Sequence, residues 1–383
     1  MSLKDALKDI ACINTKLNAS MYRRLGSHAD EMTRLVTRLG AIDSIADVDA
    51  LKEFRRSVDA GQSSFYTTDA NRSNTLIYGI WESMFGAGSG VESYKTPAIE
   101  HGLIFAPQIF TDVRFTARAS VATLGPYRKD VIQRFKGVPV FCVGPYIQYA
   151  ADYYEPEKFA ALKAKLGRTL LVFPAHSTDT SSISRDQQSY IDQVAEIARD
   201  FDSVLVSAFW WNLNDPIIDA FEAQGYRTVC AGFRDDPHFL SRLKTVISLS
   251  DLIVGDGVGT HVGYALNLGV PYRLLPVDSD TEFANLDERA AKAEVDSLKR
   301  TVGLPFLGAT AITDEQIAVC EPYWGLSISR TREELADIMQ ITERICDEAH
   351  GWTGRFSSVA ESLLREYRAS DSQKYALLAD ALL

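Results

Sequence analysis

The sequence is short of three things, and each shortage narrows what the chain can do. Its cysteines, Cys12, Cys142, Cys230, Cys320 and Cys346, stand singly, with no C-x-x-C pair and no Cys/His spacing of the zinc-binding kind. That excludes a structural zinc site and a disulfide scaffold, and predicts buried thiols in a reducing compartment. Apolar runs are short as well, none nearing the roughly 18 to 20 residues of a membrane span. Residues 1–16 carry Lys4, Asp5, Lys8 and Asp9 where a secretory leader would be apolar. The expectation is a cytoplasmic protein with no transmembrane segment, peripheral attachment to a membrane assembly staying open. Positive charge is the third shortage: 40 Lys and Arg face 51 Asp and Glu, a net charge of −11. A nucleic-acid surface is therefore excluded as the main role, though a local pocket for a small anion is not.

What is present is an ordinary globular composition, 46% hydrophobic and 24% charged over 383 residues, enough for two domains. Residues 1–70 are polar and helical in spacing, with Met32, Leu35, Val36 and Leu39 on one face and Gly40 at the stop. A second helical stretch over 73–85 ends at Gly86, Gly88 and Gly90; because these glycines follow a helix rather than a strand, they do not fit a nucleotide-binding loop. Short strands are expected at 102–106, 121–125 and 138–143, with a helix over 127–135.

From residue 151 onward, strand and helix patterns alternate. Strands are expected at 169–173, 203–209, 227–231, 251–254 and 272–275, separated by helices over 186–201, 217–223, 237–247 and 260–268. Such alternation gives an open parallel sheet with right-handed crossovers. A Thr331-x-x-Glu334 capping box opens a C-terminal helix, and another is expected over 357–367. The domains expected are 1–150, 151–330 and, as returning helices, 331–383.

Ligands bind an open parallel sheet outside the carboxyl ends of its strands, so the residues just after each strand are the candidates. They are His176 and Ser177 after the first; Trp210 and Trp211 after the second; Gly232, Phe233 and Arg234 after the third; and Asp256, Gly257, Gly259, Thr260 and His261 after the fourth. In the last set two glycines allow a tight turn and Thr260 opens a helix, whose free N–H groups and dipole suit a phosphate. The alternative is a plain strand-to-helix turn with Thr260 as its cap. Trp210 could stack on a base or fill the core, and Arg242 is expected on a helix surface. Asp235 and Asp236 fit a helix N-cap region better than a metal site, and no metal ligand set is expected. In the first domain, Glu100 and His101 form the pair most like a general base with its carboxylate.

Taken together, Val143-Gly144-Pro145-Tyr146, Val172-Phe173-Pro174-Ala175-His176-Ser177-Thr178, Ala231-Gly232, Phe239-Leu240-Ser241-Arg242 and Gly257-Val258-Gly259-Thr260-His261 resemble a group of bacterial surface-polysaccharide proteins with the GT-B glycosyltransferase fold. The resemblance spans roughly residues 98–276. It implies an α/β chain of two Rossmann-like domains facing across a cleft, with a helical N-terminal extension and C-terminal return helices. It further implies a nucleotide-sugar donor held by the second domain and a saccharide or glycoconjugate acceptor by the first. His176-Ser177 and Gly259-Thr260 look like the His-Pro and Ser-Ser elements that hold donor phosphate in sialyltransferase-like and teichoic-acid polymerase-like enzymes. This chain has neither the proline nor the serine pair, so UDP, CMP and CDP donors stay open. Glu100-His101-Gly102 looks like the His-Gly element carrying the proposed base of the polymerases. The expected activity is metal-independent glycosyl transfer without a resident cofactor. The competing readings are a UDP-sugar 2-epimerase and a non-catalytic partner in a polysaccharide assembly complex.

Overall fold

The computed structural model describes residues 37–57, 77–86, 95–109, 118–177, 181–234, 236–283, 286–349 and 356–383. The expected helices before residue 37, Gly88 and Gly90, Asp235 and Thr178 lie outside the described residues. In chain order the elements are α1 (Asp49–Ser57), α2 (Ile80–Phe85), β1 (Ala98–Ile99), β2 (Val121–Thr123), α3 (Pro126–Phe135), β3 (Val140–Cys142), α4 (Pro156–Leu166), β4 (Thr169–Phe173), β5 (Ser181–Arg185), α5 (Gln187–Ala198) and β6 (Ser203–Ser207). They continue with α6 (Pro216–Ala223), β7 (Arg227–Val229), α7 (Phe239–Ser248), β8 (Leu252–Gly255), α8 (Thr260–Asn267), β9 (Tyr272–Leu274), β10 (Ser279–Phe283), α9 (Leu286–Gly303), α10 (Asp314–Trp324), α11 (Arg332–Glu348), α12 (Phe356–Ala369) and α13 (Lys374–Leu382). The chain forms two compact units, one of Met1–Leu35, Ser63–Tyr146 and Pro322–Leu383, the other of Val36–Gln62 and Ile147–Glu321. No helix among the described residues is long and apolar enough to cross a membrane.

The first unit holds a three-stranded parallel sheet, β1-β2-β3. Val121, Ala122, Val140 and Phe141 are buried on both faces, which is why these strands read as unbroken apolar runs. Pro126 opens α3, where a missing N–H costs nothing. Thr331 caps α11 in a full capping box: its hydroxyl accepts from Glu334 N at 3.1 Å and its own N–H reaches Glu334 at 2.8 Å. Leu377, Leu378 and Ala381 of α13 are buried where that helix packs on β3.

The strand expected at 102–106 is not formed. Its backbone acceptors are taken by side chains instead of a ladder: Tyr127 Oη donates to Phe105 O at 2.6 Å, and Arg128 Nη1 to Ala106 O at 2.6 Å and Gln108 O at 3.1 Å. The sheet strand is the dipeptide just before, Ala98–Ile99. Of the helix expected over 73–85, residues 73–76 lie outside the described residues; Tyr78 has a left-handed φ of 63°, and α2 begins at Ile80.

In the second unit five parallel strands lie in the order β7-β6-β4-β8-β9. Chain order runs outward from β4 in both directions, so the sheet reverses between β4 and β8. The register pairs Phe173 with Gly255 at that seam. Leu170, Leu171 and Val172 are at 0% exposure, as a central strand covered on both faces requires. A second sheet, unforeseen in the sequence, is the antiparallel ribbon β5-β10, in which Ser279 faces Arg185 and Phe283 faces Ser181. Asp186 at its end caps α5 by accepting from Ser189 N at 3.0 Å.

Arg242 departs from the surface position expected of it. It is fully buried and ion-paired with Asp236, itself at 0% exposure, and donates to Gly40 O at 2.7 Å. Asp236 also accepts from His238 N at 2.9 Å, before α7. Gly232 is required there: its φ is +109°, and a Cβ would stand 2.6 Å from the Arg242 guanidinium. Cys142, Cys230, Cys320 and Cys346 are buried free thiols, their pKa values pushed up to about 12 by burial.

Candidate anion site at the sheet reversal

The seam between β4 and β8 is the reversal point of this sheet, the kind of place where open parallel sheets bind ligands at the strands' carboxyl ends. The strands approach so closely that residue 255 has no room for a side chain. A Cβ on Gly255 would stand 2.7 Å from Phe173 O and 2.8 Å from Tyr272 Oη. Tyr272 instead donates to Gly257 O at 2.7 Å, fixing the turn that leads to α8.

Asp256 ties the two loops together. One carboxylate oxygen accepts from Ala175 N at 2.7 Å, and the other pairs with Arg185 Nη1 at 2.5 Å. Arg185 also donates to Ala175 O. Burial raises the Asp256 pKa, against the opposing pull of Arg185 and the Ala175 N–H. Arg185 comes from the ribbon, so β5 is what locks the ends of β4 and β8 in register. Asp256, expected as a ligand contact, is thus engaged as a strut.

The histidines lie at the same seam. His261 lies flat on Phe173, with centroids 4.7 Å apart and planes within 3°, and meets Tyr272 edge-on at 5.3 Å. Its Nε2 is buried without a hydrogen-bond partner. His176 stacks on Phe209 at 4.4 Å. Burial, with Arg185 nearby, lowers the His176 pKa to about 4; burial, with His176 nearby, lowers that of His261 to about 3. His176 keeps an exposed face, so the firmer depression is that of His261. The His261 ring is held neutral at pH 7. Ser177 Oγ accepts from Ile183 N at 3.0 Å and keeps its own proton to donate. Thr260 begins α8, with Gly259 extended before it and no side-chain cap. Gly257, Gly259, Thr260, His261, His176 and Ser177 are therefore brought to one seam.

The aromatic candidates lie elsewhere. Trp210 and Phe233 are each 1% exposed and meet edge to face at 4.6 Å, filling the core below the β6 and β7 loops. Trp211 is covered by Arg55 of α1, 3.7 Å above its ring. Gly232 serves the Arg242 contact described above.

In the first unit, Glu100 is fully buried and held by Arg128 Nη2 at 2.6 Å, Arg128 Nε at 3.0 Å and Thr123 Oγ1 at 2.8 Å. Tyr146 Oη donates to its carbonyl at 2.6 Å. The carboxylate is thus committed to Arg128 and Thr123 beneath the 101–108 segment. His101 follows it, half-buried at the carboxyl end of β1. No group of three or more possible metal ligands occurs among the described residues.

Arg185, Phe173, Phe209 and Tyr272 went unread in the sequence. Arg185 left one signal: no other Lys or Arg occurs between Arg168 and Arg199.

No protein-family model and no curated protein matches the sequence. Among solved structures, the chain is similar to UDP-GlcNAc 2-epimerase from Neisseria meningitidis bound to UDP-GlcNAc, at 12% identity over 59% of this chain and 60% of that one, with a TM-score of 0.29. It is similar to UGT71G1 of Medicago truncatula complexed with UDP-glucose, at 13% identity over 66% and 55% of the two chains, TM-score 0.28. UGT2 of Phytolacca americana, complexed with UDP-2-fluoro-glucose and pterostilbene, follows at 12% identity over 67% and 55%, TM-score 0.25. The chain thus spans between 55% and 60% of the length of the structures it matches.

Proposed function

We propose that this chain is a glycosyltransferase of the GT-B type, moving a sugar from a nucleotide-activated donor to a hydroxyl acceptor in surface-polysaccharide or glycoconjugate biosynthesis. The observation that carries the reading is the seam of the second unit. There a helix start, two imidazoles and a hydroxyl gather at the reversal point of a parallel sheet, the place such a sheet offers to a phosphate. The donor is a nucleotide sugar of the UDP, CMP or CDP kind, and the second unit binds it. His176, Ser177 and the first turn of α8 stabilise the departing phosphate, without a metal ion or resident cofactor.

The step is a displacement. The acceptor oxygen bonds to the anomeric carbon while the bond from that carbon to the phosphate oxygen breaks, its electron pair leaving with the nucleotide. His101 takes the hydroxyl proton. Glu100, held by Arg128, positions the backbone that carries His101.

Calorimetry with UDP, CMP, CDP and GDP tests the donor site, and failure of all four ends the proposal. His176→Ala and Thr260→Ala are expected to weaken nucleotide binding about tenfold, the loss of one hydrogen bond to a charged group. His101→Ala is expected to abolish turnover with nucleotide affinity kept, and unchanged turnover would remove His101 as the base. Conversion of a nucleotide sugar in the absence of any acceptor would replace transfer by epimerisation.

A further inference from the structure

A phosphate at this seam would meet an unusual shortage of positive charge. Residues 173–177 read FPAHS and residues 255–261 read GDGVGTH, with no Lys or Arg in either. Arg185 reaches the seam from the ribbon, but its guanidinium is committed to Asp256 and to Ala175 O. Tyr190 from α5 and Tyr272 from β9 close the cluster, both held protonated by burial and by Asp256. Among the described residues, the charged group that acts on His176 is Arg185, whose charge is balanced in its pair with Asp256. The start of α8 contributes about half an elementary charge.

Among the described side chains at the seam, the imidazole pair is placed to answer an incoming dianion. His261 Nε2 is buried without a partner, beside a helix start, with its ring held flat by Phe173. His176 is close enough to act on it electrostatically and keeps an exposed face. We propose that the seam binds its phosphate-bearing ligand together with a proton taken up by His261 and His176, and that the ligand is therefore a doubly charged phosphoester such as the diphosphate of a nucleotide sugar. The same low dielectric that keeps the free His261 ring neutral makes its charged form favourable once two negative charges lie beside it. Binding and protonation are then linked: each strengthens the other. The inference deepens the donor-site reading and rests on it.

The test is calorimetry of the full chain with UDP-glucose, GDP-mannose and CDP-glucose, whose diphosphates keep a constant charge near neutral pH. Any proton exchanged then belongs to the protein. Titration at pH 7 in two buffers of different ionisation enthalpy counts that proton. The expected result is net uptake, with the dissociation constant rising up to about tenfold per pH unit between pH 6 and 8. His261→Gln and His176→Gln are expected to bind more weakly, with reduced uptake and a flatter pH profile. The exposed His176 provides a variant that leaves the core stacking intact should His261→Gln fail to fold. Binding without proton uptake, or full uptake kept in both variants, overturns the inference while leaving the donor-site reading in place. Uptake by a chain that transfers sugar to no acceptor would keep the inference and end the transferase reading, and no binding by any of the three probes would end the inference and confine the donor-site reading to a CMP-linked sugar, which calorimetry with CMP decides.

Discussion

Two buried groups at the seam set the stability of this chain in opposite ways. Arg185 and Asp256 form a pair with side chains 10% and 0% exposed, so neither charge has water to turn to. Removing one partner strands the other. Arg185→Met is expected to destabilise the second unit by about 3–5 kcal/mol, and Arg185→Met with Asp256→Asn to recover most of that loss. Urea denaturation of the three chains measures both quantities, and a double variant no better than the single one would show that Arg185 acts by packing. His261 works the other way. Its folded pKa, about 3, lies below the ordinary 6.5, so the unfolded chain binds the proton that the folded chain refuses. Its neutral form therefore supports folding fully above pH 6.5, and that support drains away as pH falls toward 3. His261→Phe keeps a ring on Phe173 and cannot titrate. It should lose less stability than the parent between pH 7 and 5, measured as urea midpoints.

The elements divide sharply between those the sequence revealed and those it hid. β4, the central strand, was legible to the residue because Leu170, Leu171 and Val172 form an apolar run between Gly167 and Pro174. The helices around it were legible from Pro216, Asp186, Gly225 and Gly269, which mark where a chain starts or stops turning. The β5-β10 ribbon was not. Its strands read SSISR and SDTEF, with only Ile183 and Phe283 to carry an apolar alternation. A two-stranded ribbon with one face in water needs no more than that, and pattern reading has nothing to hold. Much of the candidate site was legible as a set of loop ends, because glycines and histidines after strands are conspicuous. The strut that joins those ends was hidden, since Arg185 lies in the very ribbon the pattern missed. The C-terminal helices gave their start away through Thr331 and Glu334. Thr331→Ala removes the cap bond that the Thr331 hydroxyl accepts from Glu334 N, leaving the reciprocal one from its backbone N–H, and is expected to cost about 1 kcal/mol, seen as a lowered melting temperature. Thr331→Ser should restore most of it.

At the scale of the molecule, the chain leaves one unit and returns to it: Ser63–Tyr146 and the final stretch from Pro322 belong to the same compact body. The small sheet of that body has strands of two or three residues, too short to be stable through their own ladder. Its support comes from helices contributed late in the chain. Leu377, Leu378 and Ala381 of α13 are buried at 6%, 0% and 0% exposure where that helix packs on β3, and Ser120 shares a 2.6 Å hydrogen bond with Thr342 of α11. The five-stranded sheet of the other unit draws none of its pairing from this segment. Ending the chain at Gln373 should therefore loosen the first unit selectively. Loss of two fully buried leucines is worth about 3–6 kcal/mol in transfer free energy alone. Hydrogen exchange is the measurement: amides of 121–123 and 140–142 are expected to exchange much faster in the shortened chain, with those of 169–173 and 252–255 unchanged. Equal acceleration in both sets would mean that the two units unfold as one and that the last helix stabilises the molecule as a whole.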